Sequence, residues 1–184
     1  MAVMDEEALK SEMTPHQARI VIADYNPAWP SWFAWDRARI LEALGDLALA
    51  IEHVGSTSVP GLSAKPIIDI LLEVEDSADE SYVPALEAQG YELRIREPDW
   101  LEHRLLRRRA EPHDVNVHVF SQNHAAKEIA RMLNFRDWLR THEDDRSRYA
   151  ATKRELSTRE WRYVQDYADA KTTVIEEILT KAHP

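Results

Sequence analysis

The stretch that decides the fold of this chain is IEHVGSTSVPGLSAKPIIDILLEV, residues 51–74. It opens as an apolar strand, breaks at Gly55 and passes through three consecutive hydroxyl residues. After a second turn and Lys65, the chain enters an apolar run, residues 66–72, that contains one carboxylate, Asp69. Short apolar runs bounded by turn residues are typical of buried strands. The stretch therefore predicts two strands joined by a glycine-bordered loop, with a charged side chain inside the second strand.

The polar residues of this stretch point to an anion site. Ser56, Thr57 and Ser58 can offer hydroxyl and backbone N–H donors to a phosphate, and Lys65 can meet the same phosphate at the strand entrance. Asp69 is costly in a strand unless a cation or donors meet it, so it is a candidate metal ligand or general base. The alternatives are hydroxyls that satisfy a turn, a solvated lysine and an aspartate paired with a buried arginine.

Composition limits the classes of function. The chain has 184 residues and a formal net charge of −10, which argues against general binding to nucleic acid or to an anionic membrane. The absence of cysteine excludes disulfides, thiolate zinc sites and a cysteine nucleophile. No apolar run approaches the roughly 20 residues of a membrane span, and no secretory signal pattern opens the chain. We therefore expect a cytoplasmic protein.

Periodicity predicts strands and helices followed by a helical final third. We expect strands at residues 18–23, 91–97, 101–108 and 115–120, the last two as a hairpin, and helices at residues 29–44 and 82–89. The serine, threonine and glutamate of residues 157–160 have the capping-box pattern and predict the start of the last helix, whose apolar stripe runs from Trp161 to Leu179. Residues 1–17 are expected to form a disordered tail before a single domain, residues 18–184. The predicted fold class is α+β, a mixed β-sheet flanked by helices.

Alternation along the strands places a second group of polar residues. Asp69 shares a strand face with Leu71, and His118 points to the same side of its own strand as Asn116. If the two strands are neighbours, Asp69 and His118 can bind zinc or manganese or act as a general base. His53, beside Gly55, is a further candidate metal ligand. The alternative for His118 is a hydrogen-bonded core histidine.

Cations in the helical third form the last group of candidates. Arg136 and Arg140 are spaced i, i+4 and project from one helix face, and Lys153 and Lys171 follow them in the chain. Such cations can clamp a phosphate against the Gly55 loop. The alternative is ion pairing with nearby acids such as Asp137.

The motifs EHVGSTSVPGL and AKPIIDI within residues 52–70, VHV at 117–119 and NFRDWLR at 134–140 resemble the GrpB family. This resemblance implies a fold similar to the nucleotidyltransferases related to DNA polymerase β. In that fold a Gly–Ser turn, here Gly55-Ser56, grips a triphosphate, and carboxylates such as Asp69 hold magnesium. Leu71 and His118 stand where that pattern places further carboxylates, which argues against standard two-magnesium transfer. Some similar domains are fused to dephospho-coenzyme A kinase.

These observations lead to one main interpretation and two alternatives. The main one is a nucleotidyltransferase-like domain that binds a nucleotide or another phosphorylated small molecule and, if it is an enzyme, transfers a phosphoryl or nucleotidyl group. The first alternative is a non-catalytic ligand-binding module linked to coenzyme A metabolism. The second is a hydrolase whose Asp–His site holds a divalent metal, magnesium, manganese or zinc.

Overall fold

The computed structural model describes residues 20–161 and 164–182. In chain order the elements are α1 (Trp29–Leu44), β1 (Ala50–Val54), β2 (Ile67–Val74), α2 (Val83–Ala88), β3 (Glu92–Glu97), β4 (His103–Arg108), β5 (Asp114–Ser121), α3 (Ala126–Thr141), α4 (Glu143–Ser157), α5 (Val164–Asp169) and α6 (Thr172–Ala182). Short 3-10 turns occupy Gly45–Leu47, Ser56–Ser58 and Glu80–Tyr82. The mixed sheet with flanking and C-terminal helices confirms the predicted fold class. The tail predicted at residues 1–17 lies outside the described residues.

The sheet has five strands in the order β1-β2-β5-β4-β3. β2 and β5 are parallel, whereas the other neighbours are antiparallel, so the predicted β4–β5 hairpin is confirmed. The parallel register pairs Asp69 with Asn116 and Leu71 with His118. Because side chains alternate along a strand, this register places Asp69, Asn116 and His118 on one face of the sheet.

The two faces of the sheet carry separate apolar cores. On one face, Ile68, Ile70 and Leu72 pack with the buried residues of α1 and α2. On the other, Leu71 packs with Val54, Phe120, Ala125 and Ile129, the last of these from α3. The predicted alternation in β2 is thus confirmed. A third cluster joins the loop after Ser58 to the C-terminal helices: Val59, Leu62, Leu139, Tyr149, Ala150, Val174 and Ile178.

Two predicted elements differ from the structure. In the strand predicted at residues 18–23, Ala23 forms only an isolated antiparallel bridge with Ala64, because the chain turns directly afterwards and Asn26 Oδ1 accepts from the Ala28 amide. Residues 18 and 19 lie outside the described part of the chain.

The helix start predicted at residues 157–160 is wrong. Ser157 ends α4, and its hydroxyl donates to the Arg154 carbonyl, while the Thr158 hydroxyl donates to the Glu155 carbonyl. Serine and threonine make such bonds to preceding carbonyls as readily as they cap a helix start. The single last helix that we predicted is two helices, α5 and α6.

None of the helices among the described residues is both long enough and apolar enough to cross a membrane.

Candidate functional site

A cavity of about 180 Å³ lies where the Ser56–Ser58 turn and the first residues of β2 and β5 face the C-terminal helices. Its walls contain several of the predicted phosphate-binding residues together with Asp69. The lining residues are Ile22, Ser56, Thr57, Lys65, Ile67, Asp69, Asn116, Lys153, Tyr167 and Lys171. We call this space the anion cavity. The structure therefore brings residues from β2, β5, α4 and the segment after α5 to one concave surface.

Lys153 reaches the anion cavity from α4 and is almost completely buried, with 2% of its surface exposed. Its ammonium group donates to Ser56 Oγ at 2.8 Å and to the Ser63 carbonyl at 2.5 Å, and both oxygens are uncharged. Burial, then the positive charges of Lys171 and Arg154, lower the pKa of Lys153 to about 7. A buried lysine in such surroundings is stabilised as a cation when an anion approaches it.

Lys171 lies between α5 and α6, and its Nζ is 4.5 Å from the centre of the Tyr167 ring. Burial, followed by the positive charge of Lys65, lowers the pKa of Lys171 to about 8, although the negative charge of Asp69 opposes this change. Three ammonium groups thus border a cavity that contains one carboxylate. The balance of charge favours an anion as the occupant.

Asp69 is the carboxylate of the anion cavity. Its Oδ1 accepts from Asn116 Nδ2 at 2.9 Å and lies 3.8 Å from His118 Nε2. Burial raises the pKa of Asp69, but the donors on His118 and Asn116 lower it by more than burial raises it. The pKa of Asp69 therefore lies below its ordinary value. Asp69 is therefore ionised at neutral pH. Asn116 was not predicted as a site residue. The alternation that places it on the same strand face as His118 could have indicated that it lies in the site.

His118 belongs to a chain of contacts that extends away from the anion cavity. Its Nδ1 lies 3.2 Å from Nε2 of His103, and Nδ1 of His103 lies 2.7 Å from Oε2 of Glu97. Two imidazoles thus connect two carboxylates, Asp69 and Glu97. The contact between the two rings requires one hydrogen, which is carried either by Nε2 of His103 or by Nδ1 of His118. Glu97 was missed because only the pairing of β3 with β4 brings it to His103.

The structure brings Asp69 and His118 together, but not His53, the third predicted metal ligand. His53 lies on the other face of the sheet from Asp69: its ring stacks on Phe33 at 4.7 Å, and its Nε2 is 3.0 Å from Thr57 Oγ1. Burial lowers the pKa of His53 to about 4. Within residues 20–161 and 164–182, no three His, Asp or Glu side chains are arranged to hold a metal. Leu71, in the place of a second carboxylate, is fully buried. The residues present do not fit a magnesium pair.

The hydroxyls of Thr57 and Ser58 stabilise the turn. Thr57 Oγ1 donates to the Ile67 carbonyl at 3.1 Å, and Ser58 Oγ donates to the Gly55 carbonyl at 2.6 Å. Because Thr57 uses its only hydrogen in this way, His53 Nε2 carries the hydrogen of their shared bond. Of the three hydroxyl residues, Ser56 is the one that contacts Lys153.

Arg136 and Arg140 are not among the residues that line the anion cavity. Arg136 donates to Glu52 and to the His53 carbonyl, at 2.7 and 3.0 Å. Arg140 donates through two nitrogens to the Ser58 carbonyl, at 3.1 and 3.0 Å. Both arginines also pair with Asp137, the alternative that the sequence left open. Both arginines therefore stabilise β1 and the Ser56–Ser58 turn from outside the anion cavity.

Comparison with known proteins identifies the family. The profile of the family described as "GrpB protein" matches residues 19–181. The chain belongs to the GrpB family. It is 55% identical to UPF0157 protein BH1888 of Halalkalibacterium halodurans over 179 residues, 97% of this chain and 90% of that protein. The crystal structure of the conserved protein GrpB from Enterococcus faecalis matches with a TM-score of 0.76 and 32% identity, over 88% of this chain and 96% of that one.

A more distant match links the GrpB domain to an enzyme. The chain is 31% identical over 169 residues to a dephospho-CoA kinase of Mycolicibacterium paratuberculosis. The matched region covers 78% of this chain but only 41% of the kinase. The GrpB-like region is therefore less than half of that kinase.

Proposed function

We propose that this GrpB protein binds the phosphate group of a small molecule in the anion cavity. The observation that carries the proposal is the placement of two lysines from different segments, the buried Lys153 and the half-buried Lys171, in the wall of one small cavity. Burial lowers their pKa values to about 7 and 8. Their charges oppose folding, because burial disfavours an ammonium ion. Functional sites are where proteins retain such groups. A phosphate between the two lysines and Lys65 would receive charge-assisted hydrogen bonds, the strongest kind available here.

The size of the anion cavity limits what it can receive. At roughly 30 Å³ for each water molecule, a volume of about 180 Å³ corresponds to only a few waters. That volume suits one phosphoryl group but is smaller than the roughly 300–1,000 Å³ of pockets that enclose a complete organic ligand. The rest of a phosphorylated ligand therefore extends beyond this cavity.

The second candidate function is transfer of a phosphoryl or nucleotidyl group. It is favoured by the Glu97–His103–His118–Asp69 chain, which reaches the edge of the anion cavity at Asp69. In such a reaction an acceptor hydroxyl would lose its proton to the carboxylate of Asp69 as its oxygen bonds to phosphorus. The bond from phosphorus to the leaving oxygen would break with the electron pair staying on that oxygen, and the lysines would neutralise the developing charge. The proposal includes no step through a metal, because the residues do not fit a magnesium pair. The Asp–His metal hydrolase lacks a third ligand among the described residues.

Calorimetric titration with ribose 5-phosphate at pH 7 tests phosphate binding. Lys153→Met should raise the Kd at least about tenfold, because a hydrogen bond to a charged group contributes about 1.5–3 kcal/mol. Lys127→Met is the matched control, since Lys127 is exposed on α3 and is not among the residues that line the cavity. Equal affinity in all three proteins would overturn the proposal.

A thermal-shift comparison separates binding from catalysis. Stabilisation by a nucleotide that disappears in Asp69→Asn would favour transfer chemistry. Stabilisation that is independent of Asp69 would favour a module that only binds.

A further inference from the structure

A second and larger cavity, of about 580 Å³, opens on the side of α1 and the β4–β5 connection. Aromatic and proline residues alternate with polar ones in its walls. The lining residues are Ala23, Asp24, Asn26, Trp29, Trp32, Pro66, Arg109, Ala110, Glu111, Pro112, His113 and Asp114. We call this space the aromatic cavity. None of the candidate site residues described above belongs to it.

The two cavities border the same three segments of the chain. Ile22, Lys65 and Ile67 line the anion cavity, whereas their chain neighbours Ala23 and Pro66 line the aromatic cavity. On β5, Asp114 lines the aromatic cavity and pairs with Ile67, while Asn116, two residues further, lines the anion cavity and pairs with Asp69. The cavities are therefore adjacent along the start of the parallel β2–β5 pair.

Hydrogen bonds connect the two cavities as well. Arg109 NH2 donates to Asn116 Oδ1 at 3.3 Å, and the amide nitrogen of the same asparagine donates to Asp69 Oδ1 at 2.9 Å. Arg109 thus reaches from the wall of the aromatic cavity to a residue that orients the carboxylate of the anion cavity. A ligand that extends from one cavity into the other would pass this arginine.

The aromatic cavity has a preorganised ring surface. The rings of Trp32 and His113 are stacked, with centroids 4.9 Å apart and an interplanar angle of 5°. His113 is fixed in turn, because its Nε2 lies 2.5 Å from Oδ2 of the buried Asp36. Aromatic side chains that are already immobilised lose little entropy when another ring stacks on them.

Two lining residues also carry buried polar atoms without a partner in the described part of the chain, Trp29 Nε1 and His113 Nδ1. Their side chains are almost completely buried. Buried polar groups are normally hydrogen-bonded, so each exception in a native protein calls for an explanation. A ring nitrogen or an exocyclic amine of a ligand is a suitable partner for groups of this kind.

From these features we infer that the aromatic cavity binds the amino-bearing heterocycle of the ligand whose phosphate enters the anion cavity. The ligand class is a nucleoside monophosphate. This inference rests on the proposed phosphate binding. The carboxylates of Asp24, Glu111 and Asp114 line the aromatic cavity with a single cation, Arg109, which favours a ring with amino donors and opposes a second phosphate there. The two ends of the ligand are thereby assigned to different cavities.

Calorimetry with adenosine 5′-monophosphate and ribose 5-phosphate tests the inference, since the two probes share a phosphate and a sugar and differ in the ring. The wild-type protein should bind adenosine 5′-monophosphate at least about tenfold more tightly, the effect of stacking one base on an aromatic side chain. Trp32→Leu should remove that difference and leave ribose 5-phosphate binding unchanged. Trp100→Leu, a change of an exposed tryptophan outside both cavity linings, is the control and should preserve the difference.

Saturation-transfer NMR on the wild-type protein provides a measurement that does not depend on the folding of a variant. The H2 and H8 protons of adenosine 5′-monophosphate should receive more saturation than its ribose protons. Equal affinity for the two probes, or saturation confined to the ribose, would overturn the inference while phosphate binding stands. Failure of both probes to bind would overturn the proposed function, and the inference with it.

Discussion

Gly55 and Asp69 are in direct contact across the turn and the strand. A Cβ added to Gly55 would lie 2.5 Å from Oδ2 of Asp69 and 3.0 Å from its Cβ, distances at which the carboxylate must move. The backbone of Gly55 also has a φ of 69°, which L side chains rarely adopt. The turn therefore requires glycine for two independent reasons, its conformation and the position of the carboxylate.

We predict that Gly55→Ala is more destabilising than Gly61→Ala. Gly61 has a φ of 77°, but an added Cβ there would meet nothing within 4 Å. Gly61→Ala should lower the free energy of unfolding by about 1–2 kcal/mol because of the positive φ. Gly55→Ala should lower it by the same amount and by about 1–3 kcal/mol more because of overpacking against Asp69. Urea denaturation of the two variants measures this difference. Equal decreases in the free energy of unfolding of the two variants would show that the contact with Asp69 does not contribute to stability.

The affinity for ribose 5-phosphate should decrease as the pH rises from 7 to 9. The pKa values of Lys153 and Lys171, about 7 and 8 in the free protein, place the loss of both cations in this range. A phosphate monoester, whose second pKa is about 6, stays a dianion throughout, so the change belongs to the protein. Calorimetry at several pH values measures it. An affinity that is independent of pH would contradict the assigned role of these lysines.

The stability of the free protein should show the opposite trend with pH. Because the pKa of Lys153 falls from 10.5 to about 7 on folding, the unfolded chain binds more protons than the folded one between these values, and the free energy of unfolding rises with pH. Lys153→Met removes this contribution, so its stability should rise less steeply over the same range. Denaturation at pH 7, 8 and 9.5 provides the slopes. Parallel curves for wild type and variant would contradict the prediction.

The chain of contacts Glu97–His103–His118–Asp69 can be tested at Glu97, the end distant from the anion cavity. Burial lowers the pKa of His103, while its hydrogen bond with Glu97 raises it. Glu97→Gln should therefore lower the pKa of His103 further, because the neutral amide cannot stabilise the imidazolium ion. NMR titration of the histidine rings measures this pKa. Glu92→Gln, a change of an exposed glutamate on the same strand, is the control and should leave the titration of His103 unchanged.

Part of the site could be predicted from the sequence because it depends on local geometry. The alternation of side chains in β2 and β5 placed Asp69 and His118 on matching faces, and their neighbouring strands brought them together. The same rule explains why His53 faces away from Asp69. His53 is close to Gly55 in sequence, but its neighbour Val54 faces the α3 side of the sheet, so His53 faces α1.

The remaining features depend on tertiary packing that no local pattern reveals. Lys153 contacts Ser56 across 97 residues of chain, and nothing in the sequence of α4 indicates that partner. The approach of Lys171 depends on the break between α5 and α6, where the sequence predicted one continuous helix. Arg136 and Arg140 were predicted to bind phosphate on the same grounds as Lys153, as cations on helices of the final third. In the structure they contact backbone carbonyls of β1 and the turn.

The most direct test of phosphate binding is an NMR titration of the ammonium groups of Lys153 and Lys171 with and without ribose 5-phosphate. In the free protein the two should titrate with pKa values of about 7 and 8. With saturating ribose 5-phosphate both values should rise, because the bound dianion stabilises each cation. Unchanged pKa values for both lysines at saturation would contradict the account.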